Sequence, residues 1–328
     1  MATRAKNQAL VALAASVCVA LGILTFPRAA TAQSRRILQD RGPIQTLDLY
    51  WGNSSPERAP VGPFTFVAED LGGTNPKATL RDANGVLWGA KWDEEVRSEV
   101  AATRLAWAMG LNVEETYFVE DGLIVFPKGK PSFHRLGSFI DKSGRFRSPA
   151  RFERRDPDLV NKGTWPLGET ALMADPGYSI LVLMDVVLAN WDARDANTKI
   201  LSVKNESGTT DWYMVGDYGA SFGKMGGHFV HSKYTLKDYL RNRPVITSVD
   251  GQTVRLGYSG YNSTAHASVP LEGVREFAQR ASGLSLKQVQ DAFRAARASD
   301  DELHGFAQAT YQRIQEVVTT GLLNHPSR

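Results

Sequence analysis

The stretch Asn190-Trp191-Asp192-Ala193-Arg194-Asp195-Ala196-Asn197 lies between an almost unbroken apolar run, 176–188, and two stretches of strand character, 198–203 and 212–215. The apolar run reads as a helix buried on all sides. Asn205-Glu206-Ser207-Gly208 reads as the turn between the strands. Twenty residues beyond Asn197, Asp217 closes the second strand in Val215-Gly216-Asp217-Tyr218-Gly219. Two carboxylates and an amide in this order meet the demands of phosphoryl transfer. Asp192 is the candidate to accept a hydroxyl proton or orient a nucleophile. Asn197 and Asp217 offer the hard oxygen donors that Mg²⁺ prefers. Arg194 is placed to reach the equatorial oxygens of a transferring phosphate. Alone, D-x-x-x-x-N also suits a polar turn after a helix, with Asp192 or Asp195 capping backbone amides.

Upstream, residues 63–128 read as strands around one helix. Phe64, Phe66 and Ala68 alternate with Thr65, Val67 and Glu69, the period of a strand. Strands 77–81 and 86–92 are joined by Asp82-Ala83-Asn84-Gly85, where Asn-Gly signals a hairpin. Lys91 shares a sheet face with Gly89 and Leu87. The glycine leaves flat space beside an ammonium group, which suits a purine with its phosphates near the lysine; a plain solvent-facing lysine has the same pattern. Residues 94–109 are helical, with Gly110 as the stop. Glu95 and Glu99 share a helix face, and Glu99 is the preferred partner of Lys91 because it flanks Val96, Val100 and Thr103. The Gly72-Gly73-Thr74-Asn75 turn lets backbone amides approach a phosphate. Strands 115–119 and 123–126 are predicted to pair as a hairpin across Glu120-Asp121-Gly122.

The order of these parts resembles the protein-kinase-like superfamily. The chain is most similar to the HipA-like atypical bacterial kinases and, more distantly, to type II phosphatidylinositol kinases. Gly73-Thr-Asn-Pro76-Lys77 is similar to the G-x-x-P-K turn of HipA-like proteins. The helix from Glu99 through Leu105 into Met109-Gly110-Leu111 resembles their A-x-x-x-G-L pattern. Asn190-x-Asp192-x-Arg194-x-x-Asn197 resembles their N-x-D-x-H-x-x-N loop, with Arg194 in place of His. Tyr218 stands where many kinases have Phe, and no A-P-E segment follows Asp217. The resemblance covers residues 63–223 and implies an α+β, two-lobed protein-kinase-like fold for 63–328, with a strand-rich N-lobe and a helical C-lobe. It implies that Lys91 binds ATP phosphates, that Asp192 is catalytic and that Asn197 and Asp217 bind magnesium. Gly72, Gly73, Thr74 and Glu99 complete the expected nucleotide clamp, and Arg194 joins Asp192 in the catalytic pair.

The rest of the 328 residues bound the function. With 42% hydrophobic and 22% charged residues the chain is globular, and its single cysteine, Cys18, excludes an intrachain disulfide or a Cys-rich zinc site. Arg4 and Lys6 precede an uncharged 18-residue run, 9–26, and Ala30-Thr31-Ala32 follows. This reads as a signal peptide cleaved after Ala32; an uncleaved anchor is the alternative, since the run approaches membrane-span length. Removing residues 1–32 takes out three basic residues and no acid, leaving 35 of each sign, so no general charge favours nucleic acid. A secreted or periplasmic protein without a retained membrane span is expected.

Residues 33–62 are expected to be a linker with one short element near 44–50, and 129–168 a connector or insertion before a C-lobe from 169 to 328. Ser285/Gln288 and Ser299/Glu302 are capping boxes opening amphipathic helices, the last with Leu303, Phe306, Ile314, Val317 and Leu322 on its apolar face. His228-Phe-Val-His231 has no third metal ligand nearby and reads as part of a glycine-rich loop. Two functions remain: a kinase-like transferase moving the ATP γ-phosphoryl to a protein or small-molecule hydroxyl, or a non-catalytic, pseudokinase-like binding protein on the same fold. An acid-dependent hydrolase using Asp192 and Asp195 lacks a supporting nucleophile or acid/base pair.

Overall fold

The structure, a computed structural model, describes residues 34–205, 208–226 and 230–324. The stretch read as a signal peptide and His228 lie outside these residues. The chain runs β1 (Ser34–Arg36), β2 (Phe64–Asp70), β3 (Lys77–Arg81), β4 (Leu87–Trp92), α1 (Glu95–Ala108), β5 (Thr116–Val119), β6 (Ile124–Val125), β7 (Ala150–Arg155) and β8 (Leu159–Asn161). It continues through α2 (Thr170–Met173), α3 (Pro176–Val187), β9 (Thr198–Asn205), β10 (Gly208–Val215), α4 (Leu236–Tyr239), β11 (Ile246–Asp250), β12 (Thr253–Leu256) and β13 (Ser268–Pro270). Three helices end it: α5 (Leu271–Ala281), α6 (Leu286–Ala295) and α7 (Asp300–Leu323).

The first sheet has the order β5-β7-β4-β3-β2-β6. The β3–β4 hairpin forms where Asn-Gly predicted it, and buried Asp82 fixes the turn by accepting from the Asn84 and Val86 amides (2.9 and 2.8 Å) and Trp88 Nε1 (3.0 Å). Alternation then sorts the faces. Ala78, Leu80, Trp88, Ala90, Trp92, Ala150 and Phe152 form an aromatic-rich core on one side, where each large side chain contributes about 1.5–3 kcal/mol by leaving water. Lys91 and Arg151, directly opposite each other in register, point to the other side.

The expected 115–126 hairpin does not form. β5 lies at one edge of the sheet, while β6 pairs in parallel with β2 at the other. Five residue steps from Val119 to Ile124 span at most about 18 Å, whereas six strands laid flat would separate the edges by about 24 Å. The sheet therefore curls around its aromatic core. The short loop across the gap packs Gly122 against Phe64 and Phe146, closely enough that a Cβ would meet both rings at 2.9 Å.

Two more expectations change. Residues 34–62 are no linker: β1 pairs with β10, and Ile37, Ile44 and Leu49 are buried in the main core. Asn112 Nδ2 holds the Arg36 carbonyl (2.7 Å), and Gln288 Nε2 holds those of Ile44 and Leu47 (2.7 and 3.0 Å). The 129–168 stretch supplies β7, an inner strand of the first sheet, as well as β8, which pairs with β9. Its charged residues hid an alternation, Ala150-Arg151-Phe152-Glu153, that marks a half-buried strand.

α3 is buried on all sides as its composition predicts, with Asp175 capping it through the Gly177 amide (2.7 Å). α5 and α7 pack against α3 and each other, and α6 joins α7 to α1, all in one core. Both predicted capping boxes are present. Leu322, expected on the buried face, is 54% exposed, because Gly321 beside it takes the buried position of the last turn and packs on Val274 and Ala278 of α5. The result is a mixed α+β fold with a strand-rich first part and a helix-rich second part inside one unit, 33–328. Among the described residues, no helix is long and apolar enough to cross a membrane.

Candidate functional site

Lys91 leaves β4 on the face opposite the aromatic core and meets the first turns of α1. Its side chain is 4% exposed. Nζ lies 3.0 Å from Glu99, 2.5 Å from Glu95 and 3.3 Å from Asp217. Glu99, preferred on sequence grounds, is thus one of two helix partners, because i and i+4 carboxylates on one helix face both reach a lysine lying across it. Arg151 takes the second oxygen of Glu99 at 2.5 Å and binds Glu153 at 2.7 Å. Burial opposes the charge on Lys91, yet Glu99, Asp217 and Glu95 hold its pKa above the ordinary lysine value. Burial pushes the Glu99 carboxyl up despite Arg151 and Lys91. Burial acts the same way on Asp217, but Lys91, the Gly219 amide (2.8 Å) and Arg151 outweigh it and hold that carboxyl down.

Glu95 has a role the sequence did not reveal. It accepts from Asn75 in the glycine-rich turn and from Lys233 (2.6 Å) beyond Asp217. Gly219 packs directly on it, where a Cβ would stand 2.4 Å from Oε2. Ser98, one helical turn on, donates to the Gly219 carbonyl at 2.7 Å. α1 therefore ties together the turn, the lysine strand and the segment after Asp217.

Asp192 and Asn197 meet as the spacing suggested. Asn197 Nδ2 donates to the Asp192 backbone carbonyl and to Oδ2, both at 2.9 Å. Arg194 does not project freely towards a phosphate: Nε and Nη2 engage Asp192 at 3.0 and 3.1 Å, and the guanidinium lies over Tyr261. Burial raises the Asp192 pKa, partly offset by Arg194 and the Asn197 hydrogen bond. Gly216 N donates to the Asn197 carbonyl at 2.7 Å, so the base of the β9–β10 pair sets Asn197 beside Asp217. Tyr218 is fully buried and packs in the core.

The glycine-rich turn connects β2 to β3, with Gly72, Gly73 and Thr74 exposed and Gly73 at φ +64°. The Gly72 amide is already donated to Asp70 (2.8 Å), and Arg135 grips the carbonyls of Leu71 and, at 2.6 Å, Gly73. Arg135, Arg151 and Glu153 all come from the stretch read as a connector, so the sequence reading missed them. The space beside Gly89 is not open either, since the Arg155 guanidinium sits 3.0 Å from where a Cβ would be. Open volume lies further along: a cavity of about 830 Å³ lined by Glu153, Arg155, Asp156, Leu159, Lys199 and Leu201, among others. Lys199 bridges Glu114 and Glu153 there.

The donor set fits a hard divalent cation. Asp217 is 38% exposed and offers a carboxylate, and Asn197 offers an amide oxygen while its nitrogen holds Asp192. Among the described residues, Glu95, Glu99 and Asp217 also gather within 4.8 Å of one another, with the Lys91 ammonium bonded to all three.

No family model matches the sequence, and no curated protein matches it. Solved structures do. The Helicobacter pylori proinflammatory kinase CtkA superposes with a TM-score of 0.50 at 12% identity, covering 82% of this chain and all of that one. The Golgi casein kinase with Mn/ADP bound gives 0.41 at 12% identity over 82% of this chain and 74% of that one. A hydra Fam20 bound to sugar gives 0.39 at 11% identity over 81% and 86%. The likeness to CtkA concerns architecture. The fold of this chain is protein-kinase-like.

Proposed function

We propose that this chain is an exported kinase-like phosphotransferase that moves the γ-phosphoryl group of ATP to a hydroxyl of a protein or small molecule. The observation that carries the reading is Lys91, buried between a helix glutamate and Asp217, in the same unit as a linked Asp192–Asn197 pair. Asn197 and Asp217 would hold Mg²⁺, which when bound supplies positive charge to the phosphates. Lys91 binds phosphate oxygens, and Glu99 and Arg151 fix its direction. Asp192, kept in place by Arg194 and Asn197, accepts the proton of the attacking hydroxyl. With the Gly89 face covered by Arg155, the nucleoside end belongs in the cavity past Glu153 and Lys199. Export rests on the leader sequence alone.

The deciding experiment pairs thermal shift with ATP, with and without Mg²⁺, and radiolabel transfer to the protein itself or to an extracytoplasmic extract. Nucleotide at 100 times its dissociation constant raises stability by about 2.7 kcal/mol. Mg²⁺-dependent stabilisation together with transfer supports the enzyme. Stabilisation without transfer replaces it with the pseudokinase-like reading, and no shift at millimolar nucleotide removes both nucleotide readings.

A further inference from the structure

We propose that buried His266, paired with Asp185, is the positioning residue that sets the 190–197 loop from beneath and so aims Asp192. The proposal rests on the phosphotransferase reading for its kinetic consequence, although its structural content stands apart from it.

Asp185 sits in the last turn of α3 and is fully buried, as is His266. Asp185 Oδ1 accepts from Asn190 Nδ2 at 3.0 Å, and Oδ2 lies 3.0 Å from His266 Nε2. The other ring nitrogen of His266 is 3.1 Å from the Asn262 carbonyl. The two ring nitrogens of His266 thus face a carboxylate and a carbonyl oxygen, and the Asp185 carboxyl, engaged through both oxygens, is held in direction.

The pair reaches both ends of the loop that carries Asp192. On the near side, Asp185 holds the Asn190 amide, and Tyr258, stacked on the His266 ring at 4.3 Å, donates its hydroxyl to the Asn190 carbonyl at 3.0 Å. On the far side, Asn262, whose carbonyl meets His266, donates Nδ2 to Asp195 at 2.9 Å. Between them the Tyr261 amide donates to the Trp191 carbonyl at 2.9 Å. One imidazole thus connects the anchors on either side of Asp192 without approaching the reacting atoms. The end of α3 does not need the pair, since the Met184 and Val186 carbonyls already meet the Leu188 amide.

The test uses the full chain carrying His266→Ala, His266→Gln or Tyr258→Phe. Hydrogen–deuterium exchange of peptides covering 190–197 is read against α7. Mg²⁺–ATP affinity and the kcat of ATP hydrolysis to water need no identified acceptor. His266→Ala should speed exchange in 190–197 at least about tenfold with α7 unchanged. It should lower kcat by about 10²-fold, the scale of an ångström-sized misplacement, with nucleotide affinity within about twofold. His266→Gln, which retains one N–H towards Asp185, should recover part of both. Tyr258→Phe, which deletes a single hydroxyl, keeps the test open if His266→Ala does not fold, and should shift exchange in the same direction by less. Exchange unchanged in 190–197, or accelerated equally across α7, overturns the positioning role. A parent that neither binds nor hydrolyses ATP defeats the phosphotransferase reading instead, and the exchange comparison still decides the role of His266.

Discussion

Lys91→Met removes an ammonium and keeps most of its volume, so the consequence is electrostatic. In the parent, Lys91 touches Glu95, Glu99 and Asp217, whose oxygens lie within 4.8 Å of one another. Arg151 and Lys233 still bind two of these carboxylates in the variant, but the shared counter-ion is gone. Breaking a buried pair from one side costs about 3–5 kcal/mol, and at about 2 °C per kcal/mol for a chain of this size the melting temperature should fall by about 6–10 °C at pH 7. The pH dependence carries a sign. Lys91 has a raised folded-state pKa, so its contribution is complete below the ordinary lysine value and constant through the neutral range. Asp217 is depressed in the parent, so its contribution is present above the ordinary carboxylate value and lost as pH falls through the depressed one. Without Lys91, burial and mutual repulsion raise the carboxylates, and the variant gains stability as pH falls through those raised values. The gap between parent and variant should therefore narrow from pH 7 to about pH 5. Thermal unfolding followed by near-UV circular dichroism across that range measures it. Equal melting at pH 7, or a gap that widens on acidification, would refute the reasoning.

Asp192→Asn should leave Mg²⁺–ATP binding intact and lower phosphoryl transfer by about 10²–10⁴-fold, whereas Asp217→Asn should also remove the Mg²⁺ dependence of binding; titration calorimetry beside a transfer assay separates them. Gly219→Ala drives a Cβ to 2.4 Å from Glu95 Oε2, so it should weaken Mg²⁺–ATP binding and lower stability, both measurable by thermal shift; a variant matching the parent in both would remove Gly219 from the account. Ser285→Ala and Ser299→Ala each delete one capping box and should each cost about 1 kcal/mol in urea unfolding. Intact-mass analysis of exported material should give Gln33 as the first residue, and a chain retaining Met1–Ala32 in a membrane fraction would favour the anchor.

Local chemistry made much of the molecule legible. The Asn-Gly turn, the glycine stop after α1, the unbroken apolar run of α3 and the two serine capping boxes each act within a few residues, so the sequence determines them by itself. Spacing along the chain also placed Lys91, Asp192, Asn197 and Asp217 in a workable order. What lay beyond reach was pairing between distant segments. The turn at Glu120-Asp121-Gly122 predicts a reversal into a hairpin, but the curled sheet instead pairs β5 with β7 and β6 with β2. Arg151 becomes a partner of Glu99 only because β7 enters the sheet beside β4. The 34–62 segment is polar and turn-rich, so its few apolar residues, Ile37, Ile44 and Leu49, gain meaning only once α1, α6 and β10 form a surface to bury them. Direction on a helix face likewise allowed either Glu95 or Glu99, and tertiary packing supplied both. The sequence by itself determined the Asn-Gly hairpin, the buried α3 and the capped helices; the tertiary structure alone decided which charges face one another, because burial and ion pairing depend on neighbours that no local pattern names.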